Sequence, residues 1–355
     1  MMNPYATYKS RFFAAANGAD GFKSYFDSIF SSERLDGVFI LKGGPGTGKS
    51  TLLREIASHF SRPDIQVELF HCSSDPTSLD GVLLLRGDRS ACVLDGTAPH
   101  ERDARLPGAV DEIVNLGDCF ETKRLKEKKR EILSLQMKKS LAYKDAYFYL
   151  TLFGAFAEKI KAEVKSRLNE NAGKEWIFSL FSEKTNAKNA PIFAPRPIGA
   201  FCKDGIVRLD AYERIAEKTL RIYGDGTECG VLLSFIKELL SARGYGGYYA
   251  PSPLLSSLTD GLFLKDEKTA FIVSDIETED GIYARRFFSL GADAEEIKRY
   301  ESEAARLLRA AKDSLSAASV HHFALEKIYT PAMRFEALAP IKKALFQKIG
   351  DCLSL

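Results

Sequence analysis

Apolar positions along the chain follow two rhythms. Residues 38–41 form an unbroken apolar run that enters a glycine cluster, and Leu52, Leu53, Ile56 and Phe60 then recur at helical spacing. After the turn Ser61-Arg62-Pro63-Asp64, residues 65–70 read as a second strand, and residues 91–94 as a third that closes on Asp95. Strand, glycine loop, helix and further strands predict an α/β fold, a parallel sheet flanked by helices.

The rhythm then changes. Residues 120–168 contain no proline and one glycine, Gly154, which predicts one long helix or a helical hairpin inserted over about 119–170. A second proline-free helical stretch covers 292–330. The prolines and asparagines of 185–197 predict a linker, dividing the chain into 1–184, 185–197 and 198–355. The longest apolar stretch, 146–157, is shorter than the roughly 20 residues of a membrane span, so it predicts a buried helix. The apolar run 12–16 is too short for a signal-peptide core, and a cytoplasmic protein is expected.

The chain also resembles itself. Comparing residue i with i+180 aligns Gly44, Gly46, Thr47, Leu52, Leu53 and Ile56 with Gly224, Gly226, Thr227, Leu232, Leu233 and Ile236. It also aligns Asp80-Gly81 with Asp260-Gly261, Val93 with Val273, Asp95 with Asp275, and Ala104-Arg105 with Ala284-Arg285. At an offset of 174, Leu116-Gly117 matches Leu290-Gly291 and Ser140-Leu141 matches Ser314-Leu315. The expectation is a duplicated α/β module, each copy carrying a helical excursion.

Composition narrows the chemistry. Hydrophobic residues at 45% and charged residues at 28% exclude a disordered or low-complexity chain. Fifty basic against 48 acidic residues give a net charge of +2, so bulk charge implies no nucleic-acid partner. The six cysteines form no CxxC pair and read as thiols, and His321-His322 lack the spacing partners of a zinc site.

The sharpest motif is Gly43-Gly44-Pro45-Gly46-Thr47-Gly48-Lys49-Ser50, which fits GxxxxGK[ST] between a strand and a helix that continues through Thr51. Glycines let successive amides turn toward phosphate, the helix N-terminus adds partial positive charge, Lys49 suits β- and γ-phosphate oxygens, and Ser50 suits Mg²⁺. Asp95 is the candidate second magnesium ligand. Gly96 follows it, so the adjacent glutamate of many motor ATPases is missing. Asp75, His100 and Glu101 are loop candidates for catalysis, and Arg105 or Arg285 for an arginine finger. The absence of an NKxD motif favours ATP over GTP. In the second copy Glu228, Cys229 and Gly230 stand where Gly48, Lys49 and Ser50 stand in the first, which predicts a degenerate loop. The basic run 123–130 predicts an amphipathic helix with a charged solvent face, and the helical arms are candidate surfaces for a protein partner.

His71-Cys72-Ser73-Ser74-Asp75, Ser78-Leu79-Asp80-Gly81, 94–100 and 107–113 resemble a family of tandem P-loop ATPases of spore-forming and related anaerobic bacteria, closely over about 8–150 and more weakly over 195–330. The resemblance implies ATP binding and hydrolysis and supplies no substrate. Members of that family often keep a usable loop in both halves; Cys229 and Gly230 depart from this. The expected function is a Mg-dependent ATPase whose nucleotide state acts on the copy–copy interface or the arms. Two alternatives are a small-molecule kinase and a nucleotide-gated scaffold with negligible turnover.

Overall fold

The computed structural model describes residues 8, 10–184, 192–278, 281–290 and 294–355. The first half runs β1 (Ser10–Phe13), β2 (Ala15–Gly18), β3 (Gly21–Ser24), α1 (Phe26–Ile29), β4 (Gly37–Lys42), α2 (Lys49–His59), β5 (Gln66–His71), β6 (Leu79–Arg86), β7 (Arg89–Asp95), β8 (Asp111–Asn115), α3 (Thr122–Glu127), α4 (Lys129–Ser166) and α5 (Glu170–Leu180). The second runs β9 (Phe193–Pro195), β10 (Gly199–Cys202), β11 (Gly205–Arg208), α6 (Ala211–Ile215), β12 (Lys218–Tyr223), α7 (Gly226–Ala242), β13 (Gly247–Pro251), β14 (Thr259–Leu264), β15 (Thr269–Val273), β16 (Ile282–Tyr283), α8 (Ala294–Tyr329) and α9 (Leu338–Cys352).

Two six-stranded sheets result, ordered β1-β5-β6-β7-β4-β8 and β9-β13-β14-β15-β12-β16. The order is the same in both, strand for strand, and the arrangement is compatible with two domains. Neither sheet is purely parallel as expected: β6 and β14 run antiparallel to both neighbours. Both sheets carry the same irregularity, a register shift at Phe70/His71 and at Ala250/Pro251.

Register also corrects the expected equivalences. Gly81 pairs with Leu94, whereas Gly261 pairs with Ile272, so Val273 and not Asp275 occupies the place of Asp95. The same answer comes from the parallel partners, Leu41 with Asp95 and Ile222 with Val273. Asp275 is exposed and pairs with Arg208 at 3.1 Å. Arg285 lies in the 3-10 turn Ala284–Phe287 after β16, which matches Leu116–Cys119 after β8, whereas Arg105 precedes β8. The two arginines are therefore not counterparts. The offset-174 match of Leu116-Gly117 fails for the same reason, and Gly291 lies outside the described residues.

β4 is apolar at every core position because both its faces are covered. Phe39 and Leu41 meet Leu52, Leu53 and Ile56 of α2 on one side. Val38 and Ile40 enter a second core on the other side, shared with Tyr212, Phe263 and Ile272 of the second half. The two sheets thus face each other across a common interior.

The helical excursion is the short α3 followed by one continuous 38-residue helix, α4. It packs antiparallel on α8: Phe156 near its end meets Tyr300 near the start of α8, and a mid-seam cluster joins Ala146 and Leu150 to Ala311 and Leu315. Small residues at the seam let the helices approach closely. Each arm then delivers its last helix to the opposite half. α5 packs on the second sheet's side, with Trp176 against Phe271 and Phe287. α9 returns to the first half, where Leu338, Leu345 and Ile349 join Leu52 and Ile56. The predicted boundaries miss this exchange. The predicted linker fails in part, since Phe193–Pro195 form an edge strand on β13; 185–191 lie outside the described residues. Among the described residues no helix is long and apolar enough to cross a membrane.

Candidate functional site

β4 ends at Lys42 and α2 begins at Lys49, so residues 43–48 must turn the chain within one short loop. Gly46 and Gly48 do this with φ of +72° and +84°, values a side chain would strain. Thr47 is buried, and its hydroxyl donates to the Gly44 carbonyl at 2.9 Å, closing the loop on itself.

The Lys49 side chain folds back across the loop. Its Nζ donates to the carbonyls of Gly43 and Gly44 at 2.8 and 3.0 Å and stands 3.6 Å from Asp95 Oδ2. The parallel pairing of β4 with β7 brings Asp95 there, opposite Leu41. Thr97 holds the other carboxylate oxygen, through its amide at 2.9 Å and its hydroxyl at 2.6 Å. Burial raises the Asp95 pKa above the usual carboxylate range; Lys49 opposes this and nearby Asp80 reinforces it. Ser50 Oγ accepts the Leu79 amide at 3.0 Å, tying the loop to β6.

Gly96 has a steric reason. A Cβ at that position would lie 2.3 Å from Ile40 Cγ2, so the chain passes too close to β4 for a glutamate beside Asp95.

Of the loop candidates, His100 joins the cluster. Its Nε2 is 3.2 Å from Asp80 Oδ2, both side chains are buried, and its ring stacks on Phe26 at 4.6 Å. Burial lowers the imidazole pKa, but the charge and hydrogen bond of Asp80 outweigh it and the net shift is upward. Asp75 is bound by Thr77 at a loop edge, and Glu101 is exposed. Arg105 pairs with Asp27 at 2.7 Å, and Arg285 with Glu228 at 2.9 Å inside the second half; neither reaches Lys49 in this arrangement.

Four residues that sequence reasoning passed over complete the surroundings. Asp80 is one, a carboxylate inside an otherwise apolar strand. The arms supply the others. Lys139 of α4 is partly buried, and burial together with the charge of Lys49 lowers its pKa. Tyr143, one turn on, has its pKa raised by burial despite a hydrogen bond with Ser74. Glu326 of α8, 3.6 Å from His322 Nε2, has its pKa lowered chiefly by that histidine and to a lesser degree by the charge of Lys49.

The second half builds a different end. After Gly224 the chain enters α7 at once, with Asp225 capping the amides of Thr227 and Glu228 at 2.9 and 3.0 Å. Where the first half has an open loop, the second has an additional helical turn and its own carboxylate on the amides. Cys229 is wholly buried and its thiol is pushed up to about 12 by burial, while Glu228 is held by Arg285 and Arg167.

In comparisons with known proteins, the chain matches no family model, no curated protein and no solved structure.

Proposed function

We propose that residues 43–50 are a phosphate loop and that the first half binds and hydrolyses Mg·ATP, with the nucleotide state read out by the α4/α8 arms. The observation that carries this reading is Lys49 folded over the loop, 3.6 Å from the largely enclosed Asp95, at the junction of β4 and α2. In this reading the amides of residues 44–49 and the α2 N-terminus receive phosphate oxygens, and Lys49 exchanges its carbonyl contacts for the β- and γ-phosphates. Ser50 and Asp95 would hold Mg²⁺, which supplies charge neutralisation to the transferring phosphoryl group.

The donor set suits that ion. Asp95 is a largely enclosed carboxylate whose charge is only partly met, and Ser50 retains a free lone pair. Among the described residues no three acidic, histidine or cysteine side chains converge, as they do in an all-protein metal cage. Magnesium typically takes one or two carboxylates and completes its shell with phosphate and water. Gly96 leaves no room for a base beside Asp95, so turnover is slow. The second half, with its loop recast as helix, supplies packing and the returning α9. Leu133, Met137, Leu141, Phe148 and Leu152 of α4 lie exposed and support a protein partner at the arms.

A kinase reading has one observation in its favour. An open groove of about 690 Å³ between α3/α4 and the end of α8 is lined by Arg124, Lys128, Lys138 and Lys327 against Glu127 and Glu131, a net positive wall with room for an anionic acceptor. Phosphate release from Mg·ATP by wild type, Lys49→Ala and Asp95→Asn decides between them. The ATPase reading expects acceptor-independent phosphate release that both variants lose; ADP formed only with an added acceptor, and without free phosphate, favours the kinase. Equal release by all three removes the site assignment.

A further inference from the structure

Two aromatic rings, one from each half, meet at the start of the glycine loop. A Cβ at Gly44 would lie 3.4 Å from the Tyr329 ring and 3.6 Å from the Phe120 ring. The rings are 5.4 Å apart between centroids and inclined at 52°. Both residues are half-buried. Phe120 rests on the first core, and Tyr329 ends α8. Their main chains are fastened together. Phe120 and Met333 form an antiparallel bridge, the Glu121 amide donates to the Ala332 carbonyl at 2.7 Å, and the Arg334 amide donates to the Cys119 carbonyl at 3.0 Å. The pair is thus held in place by the fold itself.

The pair and Asp95 approach the loop from opposite sides. β4 lies between β7 and β8 in the sheet. Asp95 ends β7, whereas Phe120 follows the 3-10 turn that leaves β8. With β- and γ-phosphates drawn to Lys49, Ser50 and Asp95, the nucleoside end of a triphosphate leaves the loop on the β8 side, toward the rings. Every nucleobase presents a π-face, and stacking on an aromatic side chain needs no particular hydrogen-bonding edge. We propose that Phe120 and Tyr329 form the wall on which the nucleobase of the bound triphosphate stacks. This rests on the phosphate-loop reading above. The loop then holds the phosphates and the rings hold the base. Because Tyr329 comes from the second half, that half completes the nucleotide site of the first without a loop of its own.

The test compares Mg·ATP with Mg·tripolyphosphate by calorimetry, for wild type, Phe120→Leu, Tyr329→Leu, Tyr329→Phe and Lys49→Ala. Each leucine variant is expected to weaken ATP binding roughly tenfold and to leave tripolyphosphate binding unchanged. Tyr329→Phe keeps the ring and should bind ATP as wild type does. In wild type, the adenine H2 and H8 proton resonances should move upfield on binding. Absence of that shift overturns the proposal even where a variant fails to fold or tripolyphosphate binds too weakly to measure. ATP and tripolyphosphate weakened alike would make the rings props for the loop, and ATP unaffected in both leucine variants would leave them outside the site. Either result overturns the base wall and leaves the phosphate-loop reading standing. If wild type binds neither ligand, or Lys49→Ala binds both as wild type does, the phosphate-loop reading falls and takes the wall with it.

Discussion

Glu68, on β5 and wholly out of solvent, receives the Nε–H of Arg196 from the second half at 3.0 Å. The guanidinium lies over the rings of Phe70 and Tyr248, 5.6 and 5.0 Å from their centroids. A buried pair is costly to break because the surviving charge is left without a partner. Arg196→Leu should therefore lower unfolding stability in urea by about 3–5 kcal/mol. Replacing both partners by apolar residues should recover most of the loss. A single-variant cost below about 1 kcal/mol would mean the pair is hydrated rather than buried.

The exchange of α5 and α9 between halves predicts where a core lesion is felt. Leu345 of α9 is buried against α2, so Leu345→Ala should cost about 2–5 kcal/mol. Hydrogen exchange should quicken in α2 while α7 keeps its protection. Loss of protection in α7 instead would place α9 on the wrong half.

Two buried histidines titrate in opposite directions. Burial pushes His71 down to about 4 from an ordinary 6.5, so its stabilising contribution is present above pH 6.5 and is lost as pH falls toward 4. The His100 pKa is raised by Asp80 against the effect of burial, so its contribution is full below pH 6.5 and is lost as pH rises through the folded value. Imidazole proton resonances, assigned with His71→Gln and His100→Gln, should show His100 titrating above 6.5 and His71 well below it. The reverse order would contradict the buried Asp80–His100 pair.

Restoring the lysine of the second copy should not restore a site. Cys229 is fully buried within α7, whose first turn already occupies the position of the missing loop. Cys229→Lys should lower the melting temperature and leave ATP stoichiometry at that of the wild type. A second binding event in calorimetry would show that the two ends are interchangeable after all.

Much of the first site is legible in sequence because it is local. The apolar run of β4, the glycines and the first turn of α2 are contiguous, and one strand pairing adds Asp95. The direction of β6 is not local: the run 79–86 reads as a buried strand in either orientation. The ungapped repeat failed beyond Gly261 because the β14–β15 hairpin is shorter than β6–β7, so the identities at Asp275 and Arg285 are coincidental. Asp80 carried a usable signal, a carboxylate amid apolar strand residues. Lys139, Tyr143 and Glu326 carried none, since each is an ordinary position on a long amphipathic helix until α4 and α8 are laid across the loop.

The central claim is that the chain has one phosphate loop, built on Lys49. Equilibrium binding of Mg·ATP to wild type and Lys49→Ala tests it most directly, with thermal melts confirming that both are folded. The account predicts one bound nucleotide per wild-type chain and an affinity reduced at least tenfold in the variant. Binding of equal strength by both proteins, or binding by neither, would contradict it.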